Sequence, residues 1–327
     1  MRNIFKTRFA GLELVSPIII GSSGLTNTAE KNKELEKAGA GAVILKSLFE
    51  EQIEMQSDVL SNAQSDYPET DDYIRNYVKT NQITNYLNLI QESKKLCSIP
   101  VIASINCYRE SAWTDFARQI EMAGADAIEL NIFAINTEKG AIQGTLEDAY
   151  LRITQKVKEV VNIPVIIKMS KYFSNIINLI NNLQGSGADG VVLFNRFYQP
   201  DIDVHKMQVN SGQLFSSNAD ISDTLRWTAI ASGNLPKVSI ASSTGIHDWE
   251  DIIKCILCGA SAVELCSTVY QHGNEIIAAM KRSIEEWMNS MNFNSLSDFK
   301  GRLDYKEIPD PSLYERVQFM KYFSNRD

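Results

Sequence analysis

Two lysines and several asparagines stand where apolar runs end. Lys46 closes GAVILKS, Lys168 closes PVIIKMS, and Asn106, Asn131 and Asn195 each follow a run of β-branched or aliphatic residues; Asn136 comes five positions after Asn131 in ELNIFAIN. A primary amide offers two donors and an acceptor, the complement of a cyclic imide or lactam. A partly buried ammonium stabilises negative charge that develops on a neighbouring ring. Together these residue types point to chemistry on a flat, hydrogen-bonding heterocycle. An acid or base should accompany them, and the loop that follows Asn131, IFAIN, supplies none.

The elements that must hold these residues are marked by four similar phrases: AGAGA at 38–42, AGADA at 123–127, SGADG at 186–190 and CGASA at 258–262. Each ends an amphipathic pattern and opens an apolar run, as a glycine C-cap followed by a tight helix-to-strand turn would. Strands are expected at 15–22, 41–47, 99–105, 126–131, 164–170, 189–195, 238–244 and 262–268. They read as continuous apolar runs, the mark of strands covered on both faces. Helical patterns at 29–40, 111–124, 145–161, 173–187, 248–260 and 273–292 fall between them. This alternation predicts an α/β fold, a (β/α)8 TIM barrel over 1–303 with a short N-terminal lead-in and a helical extension at 304–327; a doubly wound open sheet is the alternative.

In a barrel, function sits at the strand C-terminal ends. Those ends carry Ser22, Ser23 and Gly24; Lys46 and Ser47; Asn106; Asn131; Lys168; Asn195 and Arg196; Ser243, Thr244 and Gly245; and Cys266, Ser267 and Thr268. The last two groups lie in SSTGI and CSTVY, Ser/Thr/Gly turns on strands seven and eight, where barrels commonly bind phosphate; read as structure alone they are helix N-caps. A phosphate there with Lys168 and the amides across the mouth suits a flavin beneath a planar ring, because a reduced isoalloxazine is anionic along one edge.

Bulk properties narrow the classes. With 44% hydrophobic and 22% charged residues, 327 residues can bury a large core. A net charge of −8 and a pI near 5.1 argue against nucleic acid as a partner. Five cysteines without paired spacing fit a reducing, cytoplasmic setting, and Cys255 and Cys258 read as core residues of a helix. No metal site, signal peptide or membrane span is expected.

The chain resembles the dihydroorotate dehydrogenase family, its soluble FMN-dependent branch above all. SPIIIGSSGLT, GAVILKS, GADAIELN, IPVIIKMS, GADGVVLFN, SSTGI and CGASAVELCST carry the resemblance in order over about residues 10–300. It implies FMN as cofactor and a homodimer that passes electrons from a small heterocycle to a soluble acceptor. It implies flavin contacts for Ser22, Ser23, Gly24, Lys46, Ser47 and Lys168, shared flavin and substrate contacts for Asn131 and Asn195, a substrate contact for Asn136, and phosphate contacts for Thr244, Gly245, Ser267 and Thr268.

Three stretches depart from the family pattern. The family's proton-abstracting Cys or Ser falls on Ala134, which cannot accept a proton. Residues 58–83 are acidic and aromatic where the family clasps substrate. Arg196 and Tyr198 replace small polar residues; Arg196 is expected either to fork onto a carboxylate or ring carbonyl, or to pair with Asp201 or Asp203. Cys107 and Tyr198 are the substitute candidates for the base, while His205, His247 and His272 match no catalytic position and read as surface residues. The expectations are therefore a dihydroorotate-type dehydrogenase, an FMN enzyme for another unsaturated lactam or enone, a flavin protein without turnover, or a flavin-free barrel that uses Lys168 as a Schiff base.

Overall fold

In a computed structural model the chain is described at 4–51, 55, 68–106, 110–132, 134–135, 137, 139–140, 142, 144–197 and 199–315, with the backbone alone at 68–79 and 110–111. A hairpin of β1 (Thr7–Phe9) and β2 (Leu12–Leu14) leads into β3 (Ile18–Ile20), α1 (Ala29–Ala38), β4 (Ala42–Ile44), β5 (Leu48–Phe49) and α2 (Pro68–Leu96). Then come β6 (Val101–Asn106), α3 (Glu110–Met122), β7 (Ala127–Asn131), α4 (Thr145–Lys158), β8 (Val165–Met169), α5 (Ile176–Gly185) and β9 (Gly190–Leu193). A second hairpin, β10 (Pro200–Asp203) and β11 (Gln208–Ser211), precedes α6 (Ile221–Asn234), β12 (Ser239–Ser243), α7 (Trp249–Leu257), β13 (Ala262–Leu265), α8 (Ser267–His272), α9 (Glu275–Ser290) and α10 (Ser312–Glu315).

Strands β3, β4, β6, β7, β8, β9, β12 and β13 pair in parallel, and the β3–β4 and β4–β6 pairings close the ring into a (β/α)8 barrel. All eight expected strands are present, shortened at their ends. The glycines of the four repeated phrases sit at left-handed φ: Gly39 at 108°, Gly124 at 94°, Gly187 at 100° and Gly259 at 107°. Each allows the sharp reversal from helix to strand that a side chain would oppose. The aspartates of the two GAD phrases add a second fastening. Asp126 Oδ2 accepts from Val101 N at 2.7 Å and Lys94 Nζ at 2.6 Å; Asp189 Oδ2 accepts from Val165 N and Lys158 Nζ, both at 2.8 Å.

Side chains alternate along each strand, so the barrel interior is layered. Its lower layer is apolar: Ile19, Ala42, Ile44, Ile102, Ala127, Ile166, Val192, Ala241 and Ala262 pack with Phe9 and Leu14 of the first hairpin, which plugs the bottom. Two residues further along the same faces the interior turns polar, with Gly21, Ser104, Glu129, Lys168, Ser243 and Glu264. The larger apolar cluster lies between strands and helices and includes Trp113, Tyr150, Leu179, Ile252 and Ile284. Cys255 belongs to it, and Cys258 is buried at the end of the same helix.

Several elements are additional to those read from the pattern. Helix α2 occupies the 68–96 region, and its described C-terminal half packs Tyr86 and Ile90, four apart, into the core. Helix α6 buries Thr224, Thr228, Ala229, Ala231 and Gly233, a face with little aliphatic periodicity. Described residues of the extension lie on the outside of the barrel: Tyr305 N donates to Ala229 O at 3.1 Å and Tyr314 OH to Leu303 O at 2.6 Å. Among the described residues no helix is long and apolar enough to cross a membrane.

Candidate active site

The polar layer is a connected network. Lys168 ends β8 with its ammonium buried, 2.6 Å from Glu264 Oε2 on β13 and 3.7 Å from Glu129 Oε1 on β7. A charge this deep persists only when paired. Burial alone would push the Lys168 ammonium down, but Glu129 and Glu264 override it and hold its pKa above the ordinary lysine range. Burial, and then repulsion from Glu264, pushes the Glu129 carboxyl well above the usual carboxylate value. Lys168 is therefore held as a cation between two carboxyls, of which Glu129 resists ionisation. A Schiff-base role for Lys168 needs the opposite shift, so the flavin-free aldolase reading is set aside.

Glu129 leads on to a file of hydroxyls. Ser104 Oγ donates to Glu129 Oε1 at 3.4 Å, Ser104 and Ser47 share a hydrogen bond at 2.8 Å, and Ser47 and Ser22 share one at 2.9 Å. Tyr86 of α2 clamps the file by donating to Ser104 O and accepting from Ser104 N. One stability consequence follows from Glu129. A carboxyl whose native pKa is raised adds stability that is complete below the unfolded value near 4.5 and lost as pH climbs toward the native value. Glu129→Gln lacks this loss, so urea midpoints of variant and wild type should diverge in the variant's favour as pH rises above the unfolded value near 4.5. A difference that stays constant with pH would contradict the assignment.

Above the network opens a cavity of about 210 Å³, lined at one end by Ser22, Lys168, Asn195 and Arg196 and at the other by Ser243, Thr244, Gly245, Cys266 and Ser267. Asn195 Nδ2 donates to Asn131 Oδ1 at 2.8 Å, so the amides of strands four and six meet across the mouth. The pair leaves the Asn131 amino group and the Asn195 carbonyl for a third partner. Arg196 Nη1 donates to Leu214 O at 2.8 Å, while its Nε is buried with no partner among the described residues. Pairing with Asp201 or Asp203 is not observed; Asp203 Oδ1 instead accepts from His205 N and Lys206 N, and Asp201 Oδ1 from Ile202 N.

Other expected residues are placed differently. Ser23 caps the turn at 24–26, accepting from Leu25 N. Ser47 and Asn131 adjoin the cavity-lining residues through hydrogen bonds. Lys46 is exposed and Asn106 half-buried at the strand ends. Thr268 spends its hydroxyl on Ile246 O at 2.6 Å and is buried, so its side chain braces the phosphate turn instead of lining the cavity. Ala134 is exposed in the loop after β7, whose start is tethered by Tyr150 OH donating to Ile132 O. Asn136, Cys107 and Tyr198 lie outside the described residues, as do residues 58–67.

Three groups were not expected here. His247 is half-buried, not a surface residue; its Nε2 lies 3.0 Å from Ser216 Oγ and its Nδ1 3.4 Å from Thr268 Oγ1, beside the Ser267 turn. Glu129 and Glu264 were the other two, and they carried a readable signal. Both stand five residues after the glycine of a repeated phrase, inside apolar strands where a lone charge demands a partner.

A parallel (β/α)8 barrel with a buried cation, paired amides and a small-residue turn at its strand ends defines a class of ligand-binding barrel enzymes. The comparisons resolve that class. The dihydroorotate dehydrogenase family pattern matches residues 4–288, and the chain belongs to that family. It is 28% identical over 305 residues to the catalytic subunit of dihydroorotate dehydrogenase B (NAD(+)) from Thermoplasma volcanium, covering 90% of this chain and 97% of the relative. The subunit of the same name from Methanocaldococcus jannaschii is 26% identical, with 88% and 95% covered; that from Pyrococcus furiosus is 24% identical, with 90% and 97% covered.

Proposed function

We propose that the protein is an FMN-dependent oxidoreductase that moves a hydride between the flavin and a dihydropyrimidine-like ring, with dihydroorotate and orotate as the family pair in pyrimidine biosynthesis. The observation that carries this reading is the Asn195–Asn131 amide pair beside the buried Lys168 cation, in one cavity with the SSTG and CST turns. The residues present fit the cofactor. An added Cβ at Gly245 would lie 2.2 Å from Ile221 N, so only glycine lets this cavity-lining turn pack against the start of α6. Buried Arg196 Nε is a donor in want of an acceptor.

When bound, FMN supplies the two-electron acceptor. The chain's own groups do the rest. Ser243, Thr244, Gly245 and Ser267 would hold the phosphate, Lys168 would face the ring with fixed positive charge, and the free valences of the amide pair would orient a flat substrate. Arg196 would fork onto a substrate carboxylate or carbonyl. The names of the relatives support a further subunit and NAD+ as the eventual acceptor.

Ala134 favours a second reading within the same site, a flavin protein with little or no turnover of dihydroorotate. A positioned base contributes ~10²–10⁴-fold, and the alanine methyl contributes none of it. Both readings require FMN. The purified protein is expected to be yellow, or to quench added FMN fluorescence to a stoichiometric endpoint. A colourless protein that leaves FMN fluorescence unchanged would end both.

A further inference from the structure

At the floor of the cavity, which Glu264 and Lys168 line, two buried acceptors have no partner among the described residues: Glu129 Oε2 and Glu264 Oε1. They belong to neighbouring carboxyls that face the same ammonium, Lys168 Nζ. Two ionised carboxyls at this depth would leave both oxygens unsatisfied and one charge uncompensated. A single proton between the carboxyls satisfies both orphans and leaves one anion for one cation.

The same carboxyl has a conduit. From Glu129 Oε1 the hydroxyls of Ser104, Ser47 and Ser22 follow at 3.4, 2.8 and 2.9 Å. A hydroxyl donates and accepts at once, which is what a proton relay needs. Ser104 and Ser47 are buried, whereas Ser22 lines the cavity, so the file runs from the sealed core to the place where a ligand would sit.

We propose that Glu129 and Glu264 share one stored proton and that Ser104, Ser47 and Ser22 carry it to and from the cavity, giving this site the proton-transfer group that its loop lacks at Ala134. In the outward direction the Glu129 carboxyl turns its protonated oxygen toward Ser104, whose hydroxyl donates to Oε1 at rest and now accepts; Ser104 gives its own proton to Ser47, Ser47 to Ser22, and Ser22 to a basic atom of the occupant. Each serine ends as it began, Glu129 ends as a carboxylate opposite Lys168, and the occupant carries the proton. The inward direction reverses every transfer and takes a proton from the occupant. The burial that raises the Glu129 carboxyl agrees with a loaded store at neutral pH. The use of the relay in turnover rests on the flavin reading above. The store itself is a property of the protein's own side chains, so its test stands or falls apart from that reading.

Infrared difference spectra between wild type and Glu129→Gln at neutral pH should contain the carbonyl stretch of a protonated carboxylic acid that the variant lacks. On transfer to D2O that band should shift, and Ser47→Ala should slow the shift by about 10²-fold, the loss of one positioned proton carrier. Ser47→Thr, which keeps a hydroxyl, should exchange at the wild-type rate and guards against a merely structural effect. Absence of the band, or equal exchange in wild type and Ser47→Ala, would overturn the proposal.

Discussion

Lys168→Met is expected to destabilise the protein by about 3–5 kcal/mol, the cost of removing one partner from a buried ionic cluster. The ammonium is the only positive charge within 4.0 Å of Glu129 and Glu264 among the described residues, and both carboxyls are sealed from solvent. Methionine replaces the lysine stem but leaves the anion without compensation, so the variant pays the desolvation of a carboxylate with nothing in return. Adding Glu264→Gln to Lys168→Met should recover part of the loss, because the double variant removes the stranded charge; coupling of roughly 1–3 kcal/mol is the range for residues in one network. Denaturant midpoints of the two singles and the double measure this directly. Additive losses would show that the cluster is not a unit.

Gly245→Ala is expected to cost about 2–6 kcal/mol and to abolish tight FMN binding. Two effects add. The residue sits at φ 83° directly after Thr244 at φ 81°, a region where a side chain is strained by ~1–3 kcal/mol. Its new Cβ would also meet Ile221 N at 2.2 Å and the Asp220 carbonyl carbon at 2.7 Å, a backbone clash that no rotamer relieves, and such overpacking costs typically ~1–3 kcal/mol. The strain falls on the turn between β12 and the start of α6, where the phosphate would be held. Gly124→Ala offers the contrast: it shares a left-handed φ of 94° but nothing lies within 4 Å of its Cβ, so it should lose stability without losing FMN. Thermal melts and flavin titration on both variants separate strain from cofactor contact.

Much of the architecture was legible because one local device recurs. The Gly-Ala phrases mark helix ends and strand starts, and their glycines all adopt the backbone that only glycine takes easily. The polar strand ends were legible for the same reason: Asn131, Asn195 and Lys168 interrupt apolar runs at equivalent places, and the structure brings Asn131 to Asn195 and sets Lys168 among buried carboxylates. What escaped the pattern has physical causes. Helix α6 buries threonine, alanine and glycine, so its apolar stripe is faint. The hairpin β10–β11 is exposed over Pro200–Ile202 and all of β11, leaving no inward alternation to read. His247 gains its place by tertiary bonds to Ser216 and Thr268, 31 and 21 residues away, which spacing along the chain does not reveal.

The paired signal at Glu129 and Glu264 is a different case, since it was present and readable. Charges in the middle of barrel strands are costly and must meet across the interior. Lys168 is the counterpart they require, and the two glutamates lie one alternation below the strand-end residues Asn131 and Cys266. That layer explains why a chain with Ala134 in its loop still holds a proton-bearing group near the cavity.

The central claim is that this cavity is a flavin and dihydropyrimidine site whose loop has lost its base. Anaerobic mixing of the FMN-loaded protein with dihydroorotate, followed by flavin absorbance, tests it most directly when wild type and Ala134→Cys are compared. Slow bleaching of the wild type is expected, with bleaching at least ~10²-fold faster in Ala134→Cys, where a thiol stands in the loop position. FMN that stays oxidised in both proteins, or bleaches equally fast in both, would contradict it.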